Sequence, residues 1–87
     1  MKVNVAAMAK AMAVVWGVLA MFLTALINLI WPGYGQEFLR AMASVYPGYH
    51  AGHSLAQAIV GGLYGSVDGA FAGAIIAWLY NHFAHAG

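Results

Sequence analysis

The sequence predicts an all-α membrane protein, a two-transmembrane-helix antiparallel hairpin with a short interfacial amphipathic helix in the connector. Composition is the first reason. Only 6% of the 87 residues are charged and 64% are hydrophobic, whereas an ordinary soluble domain carries roughly 25% charged residues. The second reason is the distribution of that apolar material. Residues 11–31 contain no charge and residues 54–80 contain one, Asp68, and each run meets the ~20 residues that cross a ~30 Å hydrocarbon core. A chain this short buries too little surface in water without disulfides, metals or partners. With no cysteine present, disulfides, thiolate metal sites and cysteine nucleophiles are excluded, and the bilayer and neighbouring subunits have to supply the burial.

The elements follow in order, as a single hairpin over residues 1–87. The first span covers about 8–31. A secretory signal would have an apolar region of only about 7–15 residues ending in small side chains, but 26–31 is bulky, so a retained helix is expected. Trp31 is an interface anchor, and Pro32 with Gly33 stops the helix. In the connector, 32–52, a helix over 36–46 places Phe38, Leu39, Met42, Val45 and Tyr46 on one face. Gln36, Glu37, Arg40 and Ser44 fall largely elsewhere, the pattern of a helix lying along a membrane surface. Pro47 and Gly48 turn the chain into a second span at about 53–81, followed by a short tail, 82–87. Trp78 and Tyr80 near one end of that span, and Tyr46 and Tyr49 before the other, match the aromatic belts of membrane surfaces.

Helix packing is written in small residues. Gly61, Gly65, Gly69 and Gly73 recur every fourth residue, with Gly62, Ser66, Ala70 and Ala74 in a second row beside them. Glycine costs a soluble helix about 1 kcal/mol relative to alanine, but in lipid such rows let two backbones approach closely. On the first span, Ala13, Gly17, Ala20, Thr24 and Asn28 form the matching stripe. Level loop ends would set Asn28 against Gln57, Thr24 against Gly61, Ala20 against Gly65 and Gly17 against Asp68, with the Asn28 and Gln57 amides hydrogen-bonded. The small face of the second span is wider than this stripe. Its surplus is expected to meet other membrane subunits or copies of the same chain, with the lipid bilayer around them.

Asp68 is the candidate for chemistry, since an aspartate at mid-span costs roughly 2.5–3.5 kcal/mol to insert and should not face lipid. It shares a helical face with Gln57, Gly61, Tyr64, Ala72 and Ile75, and Tyr64, one turn away, is placed to offer its hydroxyl. Three roles stand open: a neutral aspartic acid that locks helices by hydrogen bonds, a proton or ion relay, and a counter-charge to a partner's base. Asp68, Tyr64, Gln57 and Asn28 are thus the intramembrane polar docking set. His50 with His53 and His82 with His85 would each share one side of a helix, but the pairs belong to opposite membrane surfaces. Two ligands are too few for a closed metal site, so these read as interfacial polar residues. Met8, Met12 and Met21 read as packing or lipid contacts. No metal, cofactor or catalytic residue is expected, because Ser44, Ser54 and Ser66 lack a surrounding His and acid and no phosphate-binding loop occurs. Three Lys and Arg in all make no nucleic-acid surface.

The run Ser44-Val45-Tyr46-Pro47-Gly48-Tyr49, then Gly61-Gly62-Leu63-Tyr64-Gly65-Ser66-Val67-Asp68-Gly69 and Ala77-Trp78-Leu79-Tyr80-Asn81, resembles a family of small bacterial two-span membrane proteins, often labelled holin-like or of unknown function. The resemblance implies a two-span hairpin in a bacterial inner membrane and no reaction. A holin would form oligomeric pores and usually ends in a strongly charged tail, whereas this chain ends His82-Phe83-Ala84-His85-Ala86-Gly87. The expectation is therefore a non-catalytic small accessory subunit of a larger membrane complex. A self-assembling pore is the alternative, and a relay through Asp68 comes third.

Lys2, Lys10 and the amino terminus flank the first span, and the connector offsets Arg40 with Glu37, so the positive-inside rule places both termini in the cytoplasm. Reporter fusions should find the termini cytoplasmic and the connector outside; a cytoplasmic connector refutes this orientation.

Overall fold

The computed structural model describes residues 2–86 and the side chains of 2–84. Its regular elements are all helices. Helix α1, Val5–Ile30, begins at Asn4, whose side chain accepts the Ala7 amide at 2.9 Å and satisfies one of the open donors of the first turn. A short helix α2 spans Gln36–Ala43. Helix α3, Leu55–Ala86, continues as helix through most of what reads as a tail in the sequence. Both α1 and α3 are long and apolar enough to cross a membrane. Only 22% and 28% of their most apolar stretches is buried within the chain, whereas the core helix of a soluble protein is mostly covered.

The centre of α1 is not α-helical. Between Val5–Met12 and Leu23–Ile30 lies a π-helical stretch, Ala13–Phe22, whose i→i+5 bonds wind more residues into each turn. That winding decides which side chains face α3. Met12, Gly17 and Met21 come into line, although an α-helix would rotate Gly17 away from Met12. The stripe of Ala13, Ala20 and Thr24 is consequently turned aside, with all three only half-buried.

Methionines and one glycine on α1 therefore meet the glycine row of α3. A Cβ added at Gly65 would stand 2.9 Å from the Gly17 Cα and 2.7 Å from Met21 Cγ, and one at Gly73 would stand 2.6 Å from the Met8 carbonyl oxygen. A Cβ at Gly69 would strike the Met12 carbonyl. The order Met8–Gly73, Met12–Gly69, Gly17–Gly65, Met21–Gly61 runs the two helices in opposite directions at backbone contact. All four expected pairs are thus corrected: Gly17 faces Gly65 and Ser66 rather than Asp68, Gly17 and Met21 take the place of Ala20 against Gly65, Met21 takes the place of Thr24 against Gly61, and Asn28 and Gln57 bond to the connector instead of to each other. The glycine row is also occupied within the chain. Gly17, Gly61, Gly65, Gly69 and Gly73 are all buried, so this row is not the surface left for a second subunit.

The far ends are tied together as well. Val3 donates its amide to Asn81 Oδ1 at 2.6 Å and accepts from Asn81 Nδ2 at 2.7 Å. At the other end the connector is folded alongside the long helices, not across their tips. The body is 48 Å long and only 20 × 18 Å across, and the 32 residues of α3 account for the whole length at 1.5 Å each. Two aromatic-Pro-Gly-Tyr turns make the fold-back possible. In Trp31-Pro32-Gly33-Tyr34 and Tyr46-Pro47-Gly48-Tyr49 the fourth amide bonds to the first carbonyl, at 3.0 and 3.1 Å. Gly33 and Gly48 have φ of +103° and +83°, the positive value required at the third position of a type II turn.

Bulk on the glycine row should break the chain's own packing. We expect Gly65→Leu and Gly69→Leu each to destabilise the fold by more than the roughly 1–3 kcal/mol typical of overpacking, because the obstacles are backbone atoms. Leu63→Ala, on an exposed side chain, should be nearly silent. Unfolding in SDS, followed by tryptophan fluorescence, checks this; glycine variants as stable as the parent would overturn the packing account.

Candidate functional site

Residues 44–54 are irregular backbone lying beside apolar helices. Peptide groups in such a place need partners, and without water only side chains or neighbouring backbone can provide them. Polar side chains of the long helices and of α2 supply several of them here and at Tyr34. Asn28, 1% exposed, donates to the Tyr34 carbonyl at 2.8 Å and to Gln36 Oε1 at 3.1 Å. Gln36 passes this on, donating to the Ala51 carbonyl at 3.1 Å. Gln57 Oε1 accepts the His50 amide at 2.7 Å, and the Tyr64 hydroxyl donates to the Pro47 carbonyl. Among the described residues no buried side-chain nitrogen or oxygen lacks a partner.

One face of α3 thus carries the returning connector. Gln57 meets His50, Gly61 meets the ring of Tyr49, Tyr64 meets Pro47, and Asp68 meets Tyr46. This is the face that joins Asp68 to Gln57, Gly61 and Tyr64 in the sequence, but its occupant is the chain's own connector. Gly61 is what admits Tyr49: a Cβ there would lie 2.8 Å from the ring.

At the inner end of this seam sit Trp16, Tyr46 and Asp68. The Trp16 indole N–H donates to the Tyr46 hydroxyl at 2.8 Å, and that hydroxyl donates to Asp68 Oδ2 at 2.7 Å. The Tyr46 ring stacks on Tyr64 at 5.0 Å and 6°, while Phe38 from α2 meets Trp16 edge-on at 5.9 Å. Tyr64 therefore supports Asp68 by holding Tyr46, not by donating to the carboxyl group itself. The apolar face expected of the connector helix also has a definite neighbour: Leu39 is 1% exposed, and Phe38 and Met42 pack with it against Met21, Ala25 and Ala58. Asp68 itself is exposed, in a groove of about 240 Å³ lined also by Met12, Trp16, Gly69 and Ala72.

The histidines take no part in the seam through their side chains. His50 and His53 lie on non-helical backbone, so the shared helical side expected of them does not exist, and His82 stacks on Trp78 at 5.8 Å and 10°. The side chain of His85 lies outside the described residues.

Trp16, Tyr46 and Gln36 join the site without having been singled out for it. A signal for Trp16 was available, because a tryptophan deep in an apolar span needs an acceptor for its N–H. No protein-family model matches the chain, and neither does any curated protein or solved structure.

Tyr46→Phe, which strands the Trp16 donor and the Asp68 acceptor, should cost about 1–3 kcal/mol of stability. Unfolding of both proteins in SDS, followed by tryptophan fluorescence, provides the check, and equal stability would remove Tyr46 from the account.

Proposed function

We propose that this chain is a two-span helical hairpin of a bacterial inner membrane and serves as a non-catalytic small subunit packed against a larger membrane protein. One observation carries the reading: Asp68, the one acid in either long helix, is exposed near the middle of α3. At 1.5 Å per residue it lies about 20 Å from one end of the apolar stretch Leu55–Ala84 and about 24 Å from the other. A carboxyl group at that depth costs roughly 2.5–3.5 kcal/mol against lipid, which association with another protein removes. Around it the outward side chains are large and apolar, with Leu63, Val67, Phe71 and Ile75 more than half exposed, as suits a surface in contact with lipid.

The connector in this reading is a re-entrant segment whose apolar face is covered by the spans, in place of a helix resting on the membrane surface. Irregular backbone at such depth needs partners for its peptide groups, and Asn28, Gln36, Gln57 and Tyr64 supply them at Tyr34, Ala51, His50 and Pro47. A pore formed by copies of the chain would need a continuous polar track. A single exposed carboxylate does not supply one, so the accessory-subunit reading is preferred.

Gentle solubilisation from native membranes should yield a particle holding one or two copies of this chain beside larger proteins. Asp68→Leu should release the chain from it without unfolding the glycine-packed pair of helices. A native particle composed of this chain alone would overturn the proposal.

A further inference from the structure

The carboxylate of Asp68 has one oxygen engaged by Tyr46 and opens onto the groove formed with Met12, Trp16, Gly69 and Ala72. We propose that a transmembrane helix of a partner protein places a lysine or arginine side chain in this groove, against Asp68. The proposal rests on the accessory-subunit reading and names the chemistry of the partner.

The hydrogen bonds around Asp68 carry the argument. Trp16 donates to Tyr46 and Tyr46 donates to Oδ2, so the chain of donors ends on the carboxylate. A neutral aspartic acid would need an acceptor for its own O–H, whereas an ionised one, an acceptor at both oxygens, calls for further donors. The one polar side chain bonded to Asp68 is a donor, and Met12, Trp16 and Ala72 beside it offer no side-chain oxygen to accept a carboxyl proton. A cationic side chain supplies both the missing donor and the counter-charge, and such pairing is the usual fate of an ionisable residue within a span.

The shape of the groove agrees. Gly69 and Ala72 leave room on one wall, and Met12 with the indole of Trp16 forms the other. A long aliphatic stem can lie across such a surface while its charged end reaches the carboxylate, and an aromatic ring beside the path favours a cation. The chain does not provide the cation itself: among the described residues the one ion pair joins Arg40 to Glu37 at 3.0 Å, at the exposed edge of α2. Lys10, the one Lys or Arg in either long helix, makes no such pair with Asp68.

The test uses the full chain in lipid vesicles with synthetic Leu-Ala transmembrane peptides carrying one central lysine, or leucine at the same place. Energy transfer between labelled chain and peptide reads association. The lysine peptide should bind about tenfold more tightly than the leucine peptide, a factor equivalent to about 1.4 kcal/mol. Asp68→Asn should abolish this preference and Asp68→Glu should retain it. The amide oxygen of asparagine still accepts from Tyr46, so the Asn variant should keep the parent's tryptophan fluorescence and remain folded. Equal binding of the two peptides by the parent chain, or a lysine preference that survives Asp68→Asn, would overturn the proposal. So would association confined to copies of the chain and abolished by Lys10→Gln, which puts a second copy in the groove. The two proposals fail separately: a native particle lacking larger proteins removes the accessory-subunit reading, while a hetero-complex whose chain ignores the lysine peptide removes only the cation.

Discussion

An irregular peptide segment can lie beside apolar helices only if its hydrogen bonds are completed there, and the rest of this structure depends on that condition. Residues 44–54 would otherwise present unpaired amides and carbonyls to hydrocarbon in the proposed bilayer setting, at several kcal/mol each. Asn28, Gln36, Gln57 and Tyr64 each hold one point of the connector. Their polarity looks costly in an apolar chain when each is taken alone. Taken together, they are what permits the fold-back, and the apolar contacts of Leu39, Tyr46 and Tyr49 then close over them.

The π-helical stretch and the glycine row are two parts of one solution. Helix α3 offers a flat strip, because Gly61, Gly65, Gly69 and Gly73 have no side chains. A regular α-helix would present Met12 and Gly17 on different sides, but the i→i+5 winding of Ala13–Phe22 turns both toward that strip. The methionines then fill the shallow channel with flexible, polarisable side chains suited to irregular gaps. The same rotation leaves Trp16 beside Gly17 at the edge of the contact, where its indole can reach Tyr46. Helix winding at residue 13 thus determines a hydrogen bond to residue 46.

Much of the helix content was legible in the sequence, because long uncharged runs, Pro-Gly punctuation and fourth-residue glycines each have a direct physical meaning. Register was not. A stripe drawn at spacings of three and four assumes an α-helix, and nothing in Ala13-Val14-Val15-Trp16-Gly17 announces a change of winding. The common face of Gln57, Gly61, Tyr64 and Asp68 was legible too, but what lies on it was not, since the amphipathic pattern of Phe38, Leu39 and Met42 serves equally for a membrane surface and for the side of a helix pair. Periodicity shows which residues share a face; it carries no information about the element that covers it. Tyr46 illustrates the loss: as an aromatic near a predicted span end it fits a belt, yet its hydroxyl makes the one bond to Asp68.

Asp68 belongs to two environments at once, and this follows from the direction of the bonds around it. The other polar side chains that the long helices bring to the seam, Asn28, Gln57 and Tyr64, bond to the connector. Asp68 takes one donor from the connector and leaves the rest of its carboxylate on the outer surface. The inner bond orients the carboxylate and has a donor of its own in Trp16, so neighbouring bonds in the chain polarise one another. In a membrane such an arrangement is preorganised for a partner, because the side chain need not be reordered when association occurs. In the proposed association, docking and internal folding would share a residue, with Tyr46 positioning the group offered to the partner.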